Sequence, residues 1–398
     1  MIIVNIEDFF HPNAGYQINI LSKYLSSFGH KVYIITSKLD KIPDNLTSFF
    51  GKNDIEKYDS EYEKITGVKI IRLPIKAFIS GRAVFTSLLK KTVEGLNPDI
   101  LFVHGNDTLS GMTFLHSINK LKYPVVCDSH MLEMASTNKL KRVFRLFYKS
   151  FITPKLIKYQ VPVIRTQDDP YVEKCLGIPL KQAPWISYGS DTMLFYPDLK
   201  QKAKFKNVYD IPYDAFVIIY AGKLDESKGG KFLADALKAK FNCKRQLCFV
   251  LVGNTIGDYG KDIEKCLAES ENVILRFPTQ RYTDLAKFYQ SADLAIFPKQ
   301  CSLSFYDVQA CGLPVLSEDN NINIDRCSHS NGWNFKSEDI QDFRNKIELI
   351  ADMKIDEYKK IAKNAYDFIL KNYNYEDKAR EYEEILVKEF DRFRRGEK

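Results

Sequence analysis

Phe216-Val217-Ile218-Ile219-Tyr220-Ala221-Gly222-Lys223-Leu224-Asp225-Glu226-Ser227-Lys228-Gly229-Gly230 is the stretch whose reading decides the fold. Its first five residues are an unbroken β-branched and aromatic run, the pattern of a strand covered on both faces in a parallel sheet. Glycines then turn the chain, and a helical pattern follows over 231–240. Moving outward, apolar strand runs recur at 247–252, which ends in Gly253-Asn254, and at 273–276, 294–297 and 315–316. Strand, tight turn, helix and strand in alternation build a doubly wound sheet. The first part of the chain repeats the plan: a strand at 1–6, a loop His11-Pro12-Asn13-Ala14-Gly15, a helix at 16–28, then strands at 31–36, 70–73, 100–104 and 125–127. The expected architecture is therefore α/β, with two doubly wound, Rossmann-like domains over 1–197 and 198–374. They should face a cleft, because ligands bind at the carboxyl ends of such strands. A charged helical tail, 375–398, is expected to return to the N-terminal domain.

The 398 residues suit two such cores, and 45% hydrophobic with 27% charged residues excludes a collagen-like or disordered chain. No apolar run approaches the roughly 18 residues of a membrane span. Residues 1–6 read as a strand and not as a leader, so no signal peptide and a cytoplasmic location are expected. The eight cysteines have no two-residue spacing of a zinc or redox site. Cys327-Ser328-His329 offers two ligands, too few for a tetrahedral site, and no metal is expected. A net charge of +7 from 58 basic and 51 acidic residues is too even to argue for nucleic acid.

Three places could carry chemistry. In the opening stretch, a strand end and glycine turn carry two lysines five apart, Lys223 and Lys228, just before a helix, a pattern that reads either as an anion site suited to a diphosphate or as a surface turn with solvated lysines. Asp307, at a helix start before Ala310-Cys311-Gly312-Leu313-Pro314-Val315, either accepts hydrogen bonds from a diol or complements its helix dipole. Residues 138–160 carry seven basic and no acidic residues. There Phe144, Phe147, Tyr148 and Phe151 recur at helical spacing while Arg142, Arg145 and Lys149 lie on another face, in a helix expected to stop near Thr153-Pro154. That pattern is either a core stripe with a solvated basic face or a cationic helix that meets anionic lipid.

Taken together, these motifs resemble retaining glycosyltransferases of the GT-B fold, most closely family 4, over nearly the whole chain. Tyr188-Gly189-Ser190-Asp191-Thr192 through Phe195 and Pro197 is similar to that family's interdomain signature. Gly222-Lys223-Leu224 with Lys228-Gly229 resembles its Gly-Arg-Leu…Lys-Gly, and residues 285–298 and 310–315 match further pieces. The resemblance implies that Gly15, in a loop where Ala14 replaces one glycine of a pair, approaches the donor diphosphate. It implies that His130 lies near the transferred sugar and that Lys223 and Lys228 neutralise the leaving diphosphate. Gly222 and Gly253 would border the donor, with the nucleobase past Gly253 against Arg276 and Phe277. Asp307 would hold the ribose. The family's first glutamate falls on Lys299, so Gln300, Ser302, Ser304 and Phe305 are expected to supply replacement donor contacts.

The implied activity is metal-independent, cofactor-free, retaining transfer of a sugar from a nucleotide diphosphate-sugar to a glycan or lipid-linked glycan, in bacterial surface polysaccharide synthesis. The enzyme would be cytoplasmic and peripheral at an anionic membrane. Lys299 motivates a rival, a catalytically silent nucleotide-sugar binder or partner subunit.

Overall fold

The computed structural model describes residues 1–43, 47, 51–79, 81–131 and 140–397. The chain forms two compact units: Met1–Tyr188 with Tyr375–Lys398, and Gly189–Asn374. The break falls at Tyr188 and not at 197, because Phe195 is fully buried against the rings of Tyr282 and Tyr289 and so belongs to the second core.

The first unit holds β1 (Ile2–Ile6), β2 (Lys31–Ser37), β3 (Lys69–Leu73), an antiparallel pair β4 (Ile75–Ile79) and β5 (Arg82–Phe85), then β6 (Ile100–Val103), β7 (Val125–Ser129) and β8 (Val163–Arg165). Its main sheet is parallel, in the order β3-β2-β1-β6-β7-β8. The central strands β6 and β7 are buried along their whole length, as the uninterrupted apolar runs require. The second unit repeats this design with β9 (Phe216–Ala221), β10 (Leu247–Val252), β11 (Val273–Phe277), β12 (Leu294–Phe297), β13 (Val315–Glu318) and β14 (Gly332–Phe335), in the order β11-β10-β9-β12-β13-β14. In each sheet the winding reverses beside the first strand, between β1 and β6 and between β9 and β12. The carboxyl ends of those strands therefore border a natural ligand crevice.

The last helix, Tyr375–Arg394, is part of the first unit. It packs on the helix Gln17–Ser27, where Tyr375 stacks on Tyr24 with centroids 5.9 Å apart and Gln17 Nε2 donates to the Tyr382 hydroxyl. Glu383 meets His30 at 2.7 Å, and Arg392 reaches the Tyr159 carbonyl at 3.1 Å.

The basic segment differs from its expected form. Residues Lys141–Phe147, a widened turn Tyr148–Ile152 and Thr153–Lys158 run on as one helix past Pro154. The extra residue in the wide turn accommodates the ring and missing N–H that would otherwise stop it. The aromatic stripe also splits. Tyr148 is buried and bonded to Asn106, and Phe144 packs against the core, but Phe147 and Phe151 are exposed together with Leu140, Val143 and Leu146. Of the three cations, Arg142 is exposed, Arg145 lies over the Tyr171 ring at 5.8 Å, and Lys149 donates to the Lys174 carbonyl at 2.9 Å. Lys139 lies outside the described residues.

Leu386, fully buried on the last helix, should make that helix integral to the first core. Leu386→Ala is expected to cost about 2–5 kcal/mol of unfolding free energy, the range for emptying a buried leucine site. Urea denaturation measures it, and a loss below about 1 kcal/mol would mean that the tail is only loosely attached.

Candidate functional site

The carboxyl edge of the second sheet is shaped by glycine. Gly253 follows β10 with φ +147°, and a Cβ there would lie 1.9 Å from the Gly222 carbonyl oxygen. Only a residue without a side chain lets the loops after β9 and β10 touch. After Gly222, the Asp225 carboxylate accepts the Lys228 N–H at 3.0 Å and the Ser227 hydroxyl at 2.7 Å, closing the short turn Glu226–Lys228. Gly229, at φ +73°, packs so closely that an added Cβ would sit 3.0 Å from that of Lys299. Lys228 and Lys299 are thereby neighbours across a glycine.

The loop after β12 is held from behind. Gln300 adopts φ +62°, a strained conformation for a residue with a side chain, stabilised by its N–H on Glu318 Oε2 at 3.0 Å and by Asn323 on its carbonyl at 3.1 Å. Its amide oxygen faces the Lys228 ammonium at 3.4 Å, and the Cys301 carbonyl lies 3.5 Å from the same group. Lys299 is half-exposed and meets the exposed Glu338 at 3.7 Å. Ser302 accepts from Arg326 through its carbonyl and from the Ser304 N–H through its hydroxyl.

Three expected donor contacts have other work in this geometry. Phe305 is buried under the Arg326 guanidinium. Arg276 is bound to both oxygens of Glu264 and to the carbonyls of Leu251 and Gly253, which makes it a brace behind the Gly253 turn. Phe277 packs edge-on to Tyr209 and Phe288. A run of sequence shows that these residues follow strands or begin helices, but not which side of the element they occupy.

Asp307 lies in the first turn of Ser304–Ala310 and is nearly buried. One of its carboxylate oxygens accepts from Ser190 Oγ at 2.7 Å and from the Tyr282 hydroxyl at 3.2 Å. Burial pushes its pKa up to about 7, against the two hydrogen bonds that favour the ion. It therefore titrates near neutrality and has a second oxygen for a diol. Lys223 and Gly222 are exposed at the same edge.

In the first unit, the carboxyl edge of β7 carries a relay that runs from the buried His104 and Asp128 to the exposed His130. Asp128 takes His104 Nδ1 on one oxygen at 2.8 Å, and on the other the Gly105 N–H at 2.7 Å and His130 Nε2 at 3.1 Å. His130 Nδ1 then meets the Tyr188 hydroxyl at 2.8 Å. Burial would raise the Asp128 pKa, but the two imidazoles hold it well below the usual carboxylate range. Burial would likewise lower His130, yet Asp128 keeps it charged well above ordinary histidine. His104, Asp128 and His130 offer ligand atoms within 4.8 Å of one another. Glu7, just past β1, has its pKa pushed up to about 7 by burial, against the nearby histidines. Gly15 is exposed in the loop before Gln17–Ser27.

Sequence reading named His130 and Asp307 but missed Asp128, His104, Glu7, Ser190 and Tyr282 as their partners. All but Tyr282 lie at a strand end or in a quoted motif, which is a usable signal. Contacts such as Ser190 to Asp307, spanning 117 positions, are not.

The buried Asp307 carboxyl sets a pH dependence. Its pKa rises from 3.8 unfolded to about 7 folded, so across that window the folded chain holds a proton that the unfolded chain releases, and stability falls as pH rises. Asp307→Asn should flatten this decline and gain on wild type as pH climbs through the window. Parallel stability curves from chemical denaturation would contradict the burial argument.

Residues 201–368 match the family described as Glycosyl transferases group 1. D-inositol 3-phosphate glycosyltransferase 1 of Catenulispora acidiphila is 29% identical over 142 residues, 32% of this chain and only 33% of that relative's length. A probable sucrose-phosphate synthase of Thermosipho melanesiensis is 23% identical across 95% of this chain and 92% of its own. Anabaena Alr3699/HepE, solved in complex with UDP, superposes with a TM-score of 0.72 at 17% identity, covering 98% of this chain and all of that one, which shows a shared fold. The chain thus has the GT-B fold, and residues 201–368 of its second unit are similar to the group 1 glycosyl transferases.

Proposed function

We propose that the protein is a retaining, metal-independent glycosyltransferase that moves a sugar from a nucleotide diphosphate-sugar to a glycan or lipid-linked glycan, in bacterial surface polysaccharide synthesis. The observation that carries this reading is the glycine-shaped edge where the turns after β9 and β10 touch at Gly222 and Gly253, with Lys223 and Lys228 following in the chain and the buried Asp307 in the helix that follows β12. HepE, of the same fold, is solved with UDP and with UDP-glucose, which supports a nucleotide-sugar donor.

In this reading the bond from the sugar to the diphosphate breaks through an oxocarbenium-like state, with negative charge growing on the departing phosphate. Lys228, already placed by its turn, and Lys223 stabilise that charge. Asp307 accepts from the ribose hydroxyls while Ser190 and Tyr282 fix its orientation. His130, held cationic by Asp128, presents an N–H donor to the transferred sugar. Lys299 supports the silent binder as the second reading. Screening nucleotide-sugars for hydrolysis and for thermal stabilisation separates the two: turnover supports the enzyme, and stabilisation without turnover supports the binder. Given turnover, Lys228→Ala should raise the barrier by about 2–4 kcal/mol, as for removal of one preorganised stabiliser. Wild-type kcat/KM in that variant would overturn the assignment.

The names of the two curated relatives point to small phosphorylated acceptors, whereas the helix at 140–158 favours a lipid-linked one. Leu140, Val143, Leu146 and Phe151 are more than half exposed beside Lys141 and Arg142, with no acidic residue in the segment. Among the described residues no helix is long and apolar enough to cross a membrane. An apolar face flanked by cations instead suits the plane of an anionic bilayer, each cation contributing about 1 kcal/mol near the surface. Co-sedimentation with anionic vesicles should weaken with salt, fail with neutral lipid and be lost in Leu146→Asp/Phe151→Asp. Equal binding by that variant would remove the membrane face from the proposal.

A further inference from the structure

The opposite edge of the second sheet, at the amino ends of its strands, holds a cavity of about 540 Å³ that the donor reading does not use. Ala215 and Asp293, which immediately precede β9 and β12, form part of its lining, as does Arg245 two residues before β10. The helices Leu199–Val208 and Ile355–Asn372 supply further lining residues.

Its charges are unbalanced. Lys206 is only 7% exposed, and among the described residues its ammonium donates to the carbonyls of Tyr213 and Ala215, both at 2.7 Å, with Asp293 and Asp214 near enough to favour its charge but not hydrogen-bonded to it. Arg245, half-buried, lies over the Phe216 ring at 5.5 Å, with no carboxylate in hydrogen-bond reach among the described residues. Lys359 adds an exposed cation at the rim. The acids that could answer them are mostly engaged: Asp293 takes Lys202 and the Val217 N–H, and Asp198 caps its own helix. Asp214 is exposed at the rim. Buried cations without a bonded counter-charge are costly, and an anion entering the cavity relieves that cost through charge-assisted hydrogen bonds. The volume falls in the range of small-molecule sites, and Tyr358 and Tyr366 offer ring surface for an organic body.

We propose that this cavity binds a small organic phosphomonoester of the phosphorylated-sugar class, with Arg245 and Lys206 on the phosphate. The site stands apart from the donor edge and does not rest on the donor assignment.

The test uses the full chain at constant ionic strength, with glucose 6-phosphate, inorganic phosphate, glucose and UDP as probes in calorimetry and thermal unfolding. Glucose 6-phosphate should bind and raise Tm, inorganic phosphate should bind more weakly, and glucose should do neither. Arg245→Gln should weaken glucose 6-phosphate binding by about tenfold or more, and exposed Lys359→Gln by less. Any effect of UDP should be unchanged in both variants. Binding of glucose 6-phosphate with wild-type affinity in both variants, or no binding by either phosphate compound, would overturn the proposal. Inorganic phosphate binding as tightly as the sugar phosphate would overturn the organic part of it.

Discussion

The contact between the Gly253 backbone and the Gly222 carbonyl is the constraint on which the candidate donor edge depends. Any side chain at 253 would collide with that oxygen, so the turns after β9 and β10 approach only because residue 253 is glycine. This approach fixes the start of the Lys223 to Lys228 turn. Arg276 secures it from behind by binding the Gly253 carbonyl, and Glu264 holds Arg276. A parallel sheet collects its strand ends at one edge, and here that edge brings the backbone of two loops into contact, with Lys223 and Lys228 following in the chain.

The two units solve the same electrostatic problem differently. In the first, a buried carboxylate is kept ionised by imidazole on both sides, and the reward is a fixed, charged His130. In the second, the partners of Asp307 among the described residues are the hydroxyls of Ser190 and Tyr282, so burial wins and its pKa is pushed up to about 7. A carboxylate in contact with N–H donors and one in contact with hydroxyls thus end on opposite sides of their ordinary range.

Much of the fold was legible because it is written in local pattern. The strand runs at 216–220, 247–252 and 294–297 are apolar along their length, and such runs flanked by glycine turns have few alternatives to buried parallel strands. The tail's return was legible from its length and position. What was not legible depends on side-chain direction and on distant contacts. Phe305 was expected at the ligand and is buried, Phe277 was expected there and is partly buried against Tyr209 and Phe288, and Arg276 was expected to meet the nucleobase and braces a turn. The helix at 141–158 ran through Pro154 because a single widened turn absorbed it, a detail no propensity reveals. The exposure of Leu140, Val143 and Leu146 is not legible because aliphatic residues interleaved with an aromatic stripe fit a core face as well as a surface one.

A crystal structure of the full chain with saturating UDP tests the central claim most directly. The account predicts the diphosphate beside Gly222 with Lys228 in hydrogen-bond reach, and the ribose hydroxyls on the free oxygen of Asp307. Nucleotide bound away from the carboxyl edge of β9, β10 and β12, or no nucleotide at all, would contradict it.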